Sequence, residues 1–266
     1  MNAPALPDRH NPKGFALLPA DFSTTGFHAR TTGAPLTRFQ VLGERSSGTN
    51  FIKRLLGRNS ALRPTESLGW KHGFPAMMAI PADLAVICVL RHPQNWALSM
   101  HAKPWHTPPH MQALAFGDFI RAPWDTIIDR ARYFDGADPM GLVGQPLQQD
   151  RDPVTGATFA NLFALRRAKM AGLLSYLNRG CSCVVLRMED AQADPETATD
   201  HLLNALGQPA RDAPFRPVIK RLGSKFKPAI DTRPQTPPRM TPADREFMRG
   251  QLDLEYESSL GYSIAP

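Results

Sequence analysis

The chain has 266 residues, 42% apolar and 21% charged, with a formal net charge of +7. At roughly 150 residues per domain this length gives one or two domains and a real core, so a disulfide-stapled miniprotein and wholesale disorder are both excluded. The positive balance favours anionic ligands, but the basic residues are scattered rather than gathered into a run, so a basic tail is absent and nucleic acid is not expected as a partner. No apolar run approaches the ~20 residues needed to cross a bilayer, and no charged-then-apolar leader opens the chain. Cys88, Cys181 and Cys183 lie inside apolar runs and read as reduced core thiols rather than metal ligands. The expectation is a cytoplasmic protein, with peripheral contact to an acidic membrane left open and oligomeric state undetermined.

Residues 1–37 hold Pro4, Pro7, Pro12, Pro19 and Pro35 without a sustained period of 2 or 3.6, and read as an irregular N-terminal arm. Arg38 to Gly43 is a short β-type run. A glycine-bounded turn follows, and then Thr49 to Leu56, apolar at 51, 52, 55 and 56 as a helix would be. Leu84 to Leu90 is a continuous apolar run, the pattern of a parallel strand buried on both faces. A helix is expected from Pro93, with proline at its first position. Two short helices broken at Pro123 are expected between 112 and 134, and a Gly, Pro, Asp and Gln-rich loop over 135–156.

Phe159, Leu162, Phe163, Met170, Leu173, Leu174 and Leu177 mark one face of a long helix that Gly180 ends, and Arg166 falls on that face. Cys181 to Leu186 reads as a third buried strand. Asp194-Pro195 caps a helix to about Leu206, and Thr241-Pro242 starts a last one reaching roughly Leu254. Strands alternating with helices predict an α/β fold, a three-layer parallel sheet with helices on both faces, as one domain over 38–266 with a helical and loop insertion at about 103–178. Ligands in such folds bind at the carboxyl ends of the strands, here just after 43, 90 and 186.

Gly43-Glu-Arg-Ser-Ser-Gly48-Thr49-Asn50 joins strand to helix, where backbone N–H groups and the positive helix terminus form an anion cradle. The spacing matches Walker A only in its two glycines, since Thr49 stands at the lysine position and Asn50 at the magnesium-binding hydroxyl. A tight turn that needs glycine is the plain alternative. After the buried strand, Arg91 supplies a forked cation and Ser99 a hydroxyl two helical turns on, so the two loops together make a two-point anion clamp.

With these residues in place the chain resembles the P-loop-type sulfotransferases that use 3′-phosphoadenosine 5′-phosphosulfate (PAPS). The family's 5′-phosphosulfate loop looks like Arg45-Ser46-Ser47-Gly48-Thr49-Asn50-Phe51, and its R-x-P-x(5)-S segment for the 3′-phosphate is matched by Arg91, Pro93 and Ser99. Trp70-Lys71-His72-Gly-Phe-Pro75 resembles the family's K-x-H-x-P segment, although Lys71 directly precedes His72 and Pro75 comes one position late. Val184 to Asp190 is similar to the family's strand with a Tyr-Glu-Asp ending, Met188 replacing the aromatic, and Leu260-Gly-Tyr262 to its closing helix.

The resemblance implies a P-loop NTPase-like fold and transfer of the sulfuryl group of PAPS to a hydroxyl or amine on a carbohydrate, lipid or small molecule, without a metal. It implies His72 as general base and Arg45, Ser46, Ser47, Gly48, Thr49, Asn50, Arg91 and Ser99 as PAPS contacts. Many members carry a lysine or arginine where this chain has Ser46, so the cation for the bridging oxygen must come from Arg45, Lys53 or Lys71, with Lys71 preferred. The loop that wraps the adenosine has only Arg221-Leu-Gly223-Ser-Lys225 to represent it.

Other residues have plainer readings beside the functional ones. His101, His106 and His110 have short spacings, but Pro108 and Pro109 break any helical pair, so an acceptor-binding loop is favoured over a metal site. Arg166 reads as a buried arginine paired with a carboxylate before it reads as a substrate anchor. Glu189 and Asp190 read as structural hydrogen-bond acceptors. A P-loop kinase, and a non-catalytic nucleotide or polyanion binder on the same scaffold, remain the alternative functions.

Overall fold

The computed structural model describes residues 18–219 and 225–264. In chain order the elements are α1 (Phe22–Thr25), β1 (Phe27–Arg30), β2 (Arg38–Leu42), α2 (Thr49–Asn59), β3 (Arg63–Pro64), β4 (Leu84–Leu90), α3 (Pro93–Ala102), α4 (Pro109–Gln112), α5 (Phe116–Arg121), α6 (Leu162–Leu174), β5 (Ser182–Arg187), α7 (Met188–Ala193), α8 (Pro195–Ala205), α9 (Pro242–Gln251) and α10 (Leu254–Ser259). Five strands form one sheet in the order β1-β5-β4-β2-β3, with β1 antiparallel to β5 and every other pair parallel. The protein is therefore α/β with a mostly parallel sheet.

Strand β4 is buried along its whole length, which explains its unbroken apolar sequence. Leu84, Val86, Cys88 and Leu90 pack with Met170, Leu173 and Leu174 of α6. Ala85, Ile87 and Val89 pack on the opposite face with Ile52, Leu55 and Leu56 of α2 and Leu202 and Leu203 of α8. The alternation is the period-2 geometry of a strand between two helical layers. A second core joins Trp96 and Met100 of α3, Phe119 and Ile120 of α5, Phe163 of α6 and Met248 of α9. The long helix α6 thus contributes to this core and to the one on the Leu84, Val86, Cys88 and Leu90 face of β4.

Part of the expected irregular arm is structured: Phe27 pairs with Leu186 and Arg30 with Cys183, placing β1 at the sheet edge. Four half-buried or exposed edge residues leave no alternation that a sequence pattern could reveal. The arm's residues 1–17 lie outside the described residues. The expected helix beyond Pro123 is absent. Ala122 is extended at the end of α5, as a residue before proline tends to be, and the following stretch holds only a 3₁₀ turn at Ala131–Tyr133.

Helix α6 ends at Leu174, continues as a 3₁₀ turn to Asn178, and is closed by Gly180 in the left-handed region at φ 64°. Asp194 caps α8 by accepting from the Thr197 N–H at 3.1 Å, and Thr241 caps α9 by accepting from Asp244 at 3.1 Å. The three cysteines are free and buried, and burial pushes the Cys181 thiol up to about 11. Strand β2 has β3 on one side and β4 on the other, so consecutive crossovers diverge there. A crevice outside the carboxyl ends of β2 and β4 is the consequence.

Candidate functional site

Two loops meet at that crevice. In the first, Ser46 (φ 63°) and Gly48 (φ 96°) are both left-handed, curling the chain between β2 and α2. The N–H groups of Ser46, Gly48, Thr49 and Asn50 find no acceptor among the described residues, so they are available to an anion. Gly43 is required by space, and Gly48 by its left-handed conformation. A Cβ at Gly43 would stand 2.8 Å from the Val89 carbonyl, while one at Gly48 would stand 2.2 Å from Met188 Sδ. Ser47 Oγ is buried without a hydrogen-bond partner among the described residues.

From the second loop, Arg91 Nη1 donates to the Ser46 carbonyl at 2.6 Å, which brings the forked cation directly onto the first loop. Arg91 has no carboxylate within ion-pairing distance among the described residues, and burial lowers its pKa from the ordinary value. Ser99 is half-buried on α3. The carboxyl end of β5 is occupied differently. Arg187 pairs with Asp190 at 2.6 Å and donates to the carbonyls of Ser23, Thr24 and Leu260, and Glu189 accepts from the His92 N–H at 2.9 Å. Both acids are hydrogen-bond acceptors, and Arg187 ties Ser23, Thr24 and Leu260 to the end of β5.

The segment Trp70 to Gly73 lies against the first loop. The Gly43 N–H donates to the Lys71 carbonyl at 3.1 Å, and His72 Nδ1 lies 2.7 Å from the Gly43 carbonyl oxygen. A carbonyl only accepts, so Nδ1 carries the proton and Nε2 of neutral His72 is an acceptor. Burial, with Lys71 adding to it, holds His72 well below the usual histidine pKa, so it is neutral at pH 7. Lys71 Nζ donates to Asn50 Oδ1 at 2.6 Å at the start of α2, and burial lowers its pKa. Of the three cations expected to replace one at Ser46, Lys53 pairs with Glu66 at 2.5 Å and Arg45 with Asp150. Lys71 is the one hydrogen-bonded to the helix start.

Arg45, expected among the phosphosulfate contacts, has its side chain engaged within the protein. Its guanidinium is buried, ion-paired with Asp150, bonded to the Trp105 carbonyl at 3.0 Å and stacked near Trp70 and Trp124. Asp150 also takes Lys169 Nζ at 3.0 Å, and the two cations hold its carboxyl well below the usual carboxylate range. Lys169 donates to the His72 carbonyl at 2.8 Å, and burial lowers it to about 8. One turn earlier on α6, Arg166 is fully buried, bonded to Glu44 at 2.8 Å, to both oxygens of Glu257 at 2.8 and 3.0 Å, and to the Arg91 carbonyl at 3.0 Å. The structural reading of Arg166 holds.

The three histidines at 101, 106 and 110 do not converge. His101 is in the core, bonded to Thr236 at 2.7 Å and Leu114 at 3.1 Å; His106 is held by Asp129 at 2.7 Å; His110 is exposed beside Asp125. Residues 221–224 of the expected adenosine loop lie outside the described residues, and Lys225 is exposed. A cleft of about 560 Å³ lies beside α8 against Arg211 and Phe215, lined by none of the residues of the two loops. No helix among the described residues is long and apolar enough to cross a membrane. The chain matches no protein-family model, no curated protein and no solved structure.

Sequence reading passed over Glu44, Asp150, Lys169 and Glu257. Lys169 alone had a signal, since it sits three residues from Arg166 on the same apolar face. Two predictions follow from these buried charges. Arg166→Met leaves Glu44 and Glu257 without their cation and should cost about 3–5 kcal/mol in urea unfolding. Glu44, buried with one cation shared between two carboxylates, is pushed up to about 7. The folded state therefore keeps a proton that the unfolded chain releases above pH 4.5, and stability falls as pH rises from about 5 to 7. Glu44→Gln should remove that slope, worth about 2–3 kcal/mol, in urea midpoints compared at pH 5 and 7.5.

Proposed function

We propose that the protein is a PAPS-dependent sulfotransferase, moving a sulfuryl group to a hydroxyl or amine acceptor. The observation that carries this reading is the bond from His72 Nδ1–H to the Gly43 carbonyl, because it fixes a neutral imidazole to the first residue of the anion loop. A base and an anion cradle then share one rigid hinge. The N–H groups of Ser46, Gly48, Thr49 and Asn50 would hold the 5′-phosphosulfate, and Arg91 and Ser99 the 3′-phosphate.

In the transfer, the acceptor O–H proton passes to His72 Nε2 while the acceptor oxygen forms its bond to sulfur. The bond between sulfur and the bridging oxygen breaks, its electron pair leaves with the phosphate, and adenosine 3′,5′-bisphosphate is the product. Lys71, beside Asn50 at the helix start, would neutralise that bridging oxygen. Positioning and electrostatics do the work, as in phosphoryl transfer, and the residues named call for no metal. A kinase reading has less support, since Thr49 and Asn50 stand where the Walker lysine and hydroxyl would be.

Calorimetric titration tests the nucleotide half. Tight binding of adenosine 3′,5′-bisphosphate with little response to ADP or Mg·ATP is expected, and a preference for Mg·ATP would replace this reading with the kinase. For the chemistry, His72→Asn, which can keep the bond to Gly43, should lower transfer from PAPS by roughly 10²–10⁴-fold with bisphosphate affinity unchanged. Unaltered turnover would remove His72 as base. Arg91→Ala should weaken bisphosphate binding by about 10- to 100-fold, the worth of a hydrogen-bonded charge.

A further inference from the structure

The parallel strands begin at the rim of the sheet opposite the crevice, β2 at Arg38, β3 at Arg63, β4 at Leu84 and β5 at Ser182, and antiparallel β1 ends there at Arg30, opposite Cys183. The chain that turns at this rim, residues 30–38, 59–63, 76–84 and 178–182, carries Arg30, Arg38, Arg63 and Arg179 against one acid, Asp83, a net of +3. Asp83 pairs with Arg38 at 2.5 Å. Arg30, Arg63 and Arg179 are exposed and have no carboxylate partner among the described residues.

The same rim carries an apolar run. Ala76-Met77-Met78-Ala79-Ile80-Pro81-Ala82 is seven apolar residues in a row, a pattern that is ordinarily buried, yet Ala76, Met78, Ala79 and Ala82 are exposed, Met78 completely. Its base is fixed. Met77 and Ile80 pack on the core that contains Leu84 and Leu177, and the Leu84 N–H donates to the Pro81 carbonyl at 3.1 Å. Hydrogen bonds tie the arginines to the same place: the Thr37 and Arg38 N–H groups donate to the Asp83 carbonyl at 2.9 and 3.1 Å, the Arg63 N–H to the Thr37 carbonyl at 3.0 Å, and Arg30 Nη1 to the Leu177 carbonyl at 2.9 Å. An apolar tip thus stands on a rigid base among guanidinium groups that lack a carboxylate.

We propose that this rim is a contact surface for an anionic lipid bilayer, with Met78 and Ala79 entering the boundary between headgroups and acyl chains and Arg30, Arg63 and Arg179 binding lipid phosphates. Guanidinium forks match phosphate oxygens, and apolar side chains flanked by basic ones let a protein lie on a membrane without crossing it. The charge selects an anionic partner. The run selects lipid over nucleic acid, because it offers no aromatic ring on which a base can stack. The seven residues of β4 separate this rim from the crevice by roughly 20 Å, so the crevice stays open to water. The inference does not depend on the sulfotransferase reading.

The test is co-sedimentation of the full-length protein with vesicles of phosphatidylcholine alone and of phosphatidylcholine with equimolar phosphatidylglycerol. Wild type should pellet with the mixed vesicles and stay in solution with the neutral ones. Arg63→Ala should weaken binding to the mixed vesicles about fivefold, the worth of one arginine at an anionic surface. Met78→Asp should weaken it by about tenfold or more, and Met78→Leu should keep it, with melting temperatures unchanged because both side chains are exposed. Equal pelleting with the two kinds of vesicle, pelleting with neither, or binding that survives Met78→Asp overturns the proposal. Binding to soluble heparin that Arg63→Ala weakens, without any binding to vesicles, would assign the rim to a soluble polyanion and overturn it as well.

Discussion

Everything at the crevice depends on one buried guanidinium. Arg166 reaches from α6 to bind Glu44 of the first loop, Glu257 of α10 and the carbonyl of Arg91. Three pieces of chain distant in sequence therefore share one fully desolvated cation. A buried ion pair is a poor source of net stability, since desolvation offsets the Coulombic gain, but removing one partner is costly. Such a group acts as a lock on relative position. With two carboxylates and one guanidinium the cluster is one negative charge in excess, and burial answers the excess by pushing Glu44 up to about 7.

A second buried cluster has the opposite sign. Arg45 and Lys169 share the carboxylate of Asp150, leaving one positive charge in excess close to Trp70 and to the backbone of His72. The two clusters sit one helical turn apart on α6 and touch consecutive loop residues, Glu44 and Arg45. The excess cation contributes to the low pKa of His72, since Arg45 and Lys71 both disfavour a protonated ring. The arrangement that rigidifies the anion loop thus also keeps the adjacent imidazole neutral.

The strands β2, β4 and β5 and the longer helices were legible because each rests on a local pattern: the unbroken run of β4, the caps at Asp194 and Thr241, the apolar face of α6. The two loops were legible for the same reason, as glycines and cations at strand ends. What escaped was set by contacts between distant segments. Arg45 looked like a ligand cation because its partner Asp150 lies in a stretch without periodicity, 105 residues away. The edge strand β1 has too few residues to alternate, and its existence follows from the unpaired edge of β5. His106 was one of three histidines of equal standing in the sequence, and only its left-handed backbone and its carboxylate set it apart.

In the proposed transfer the cation at the bridging oxygen does not come from position 46, which is serine. The backbone there is left-handed, and its carbonyl accepts from Arg91. Here the cation arrives instead on Lys71, one residue before His72, and is anchored to Asn50. Gly43 then holds both neighbours, its N–H on the Lys71 carbonyl and its carbonyl on the His72 ring. Base and leaving-group cation in the proposed transfer would share one short segment, so neither can shift against the anion loop without the other. A displacement of that segment would remove proton acceptance and charge neutralisation together, so in the proposed transfer the two bonds of Gly43 do for this segment what the Arg166 cluster does for the loop beside it.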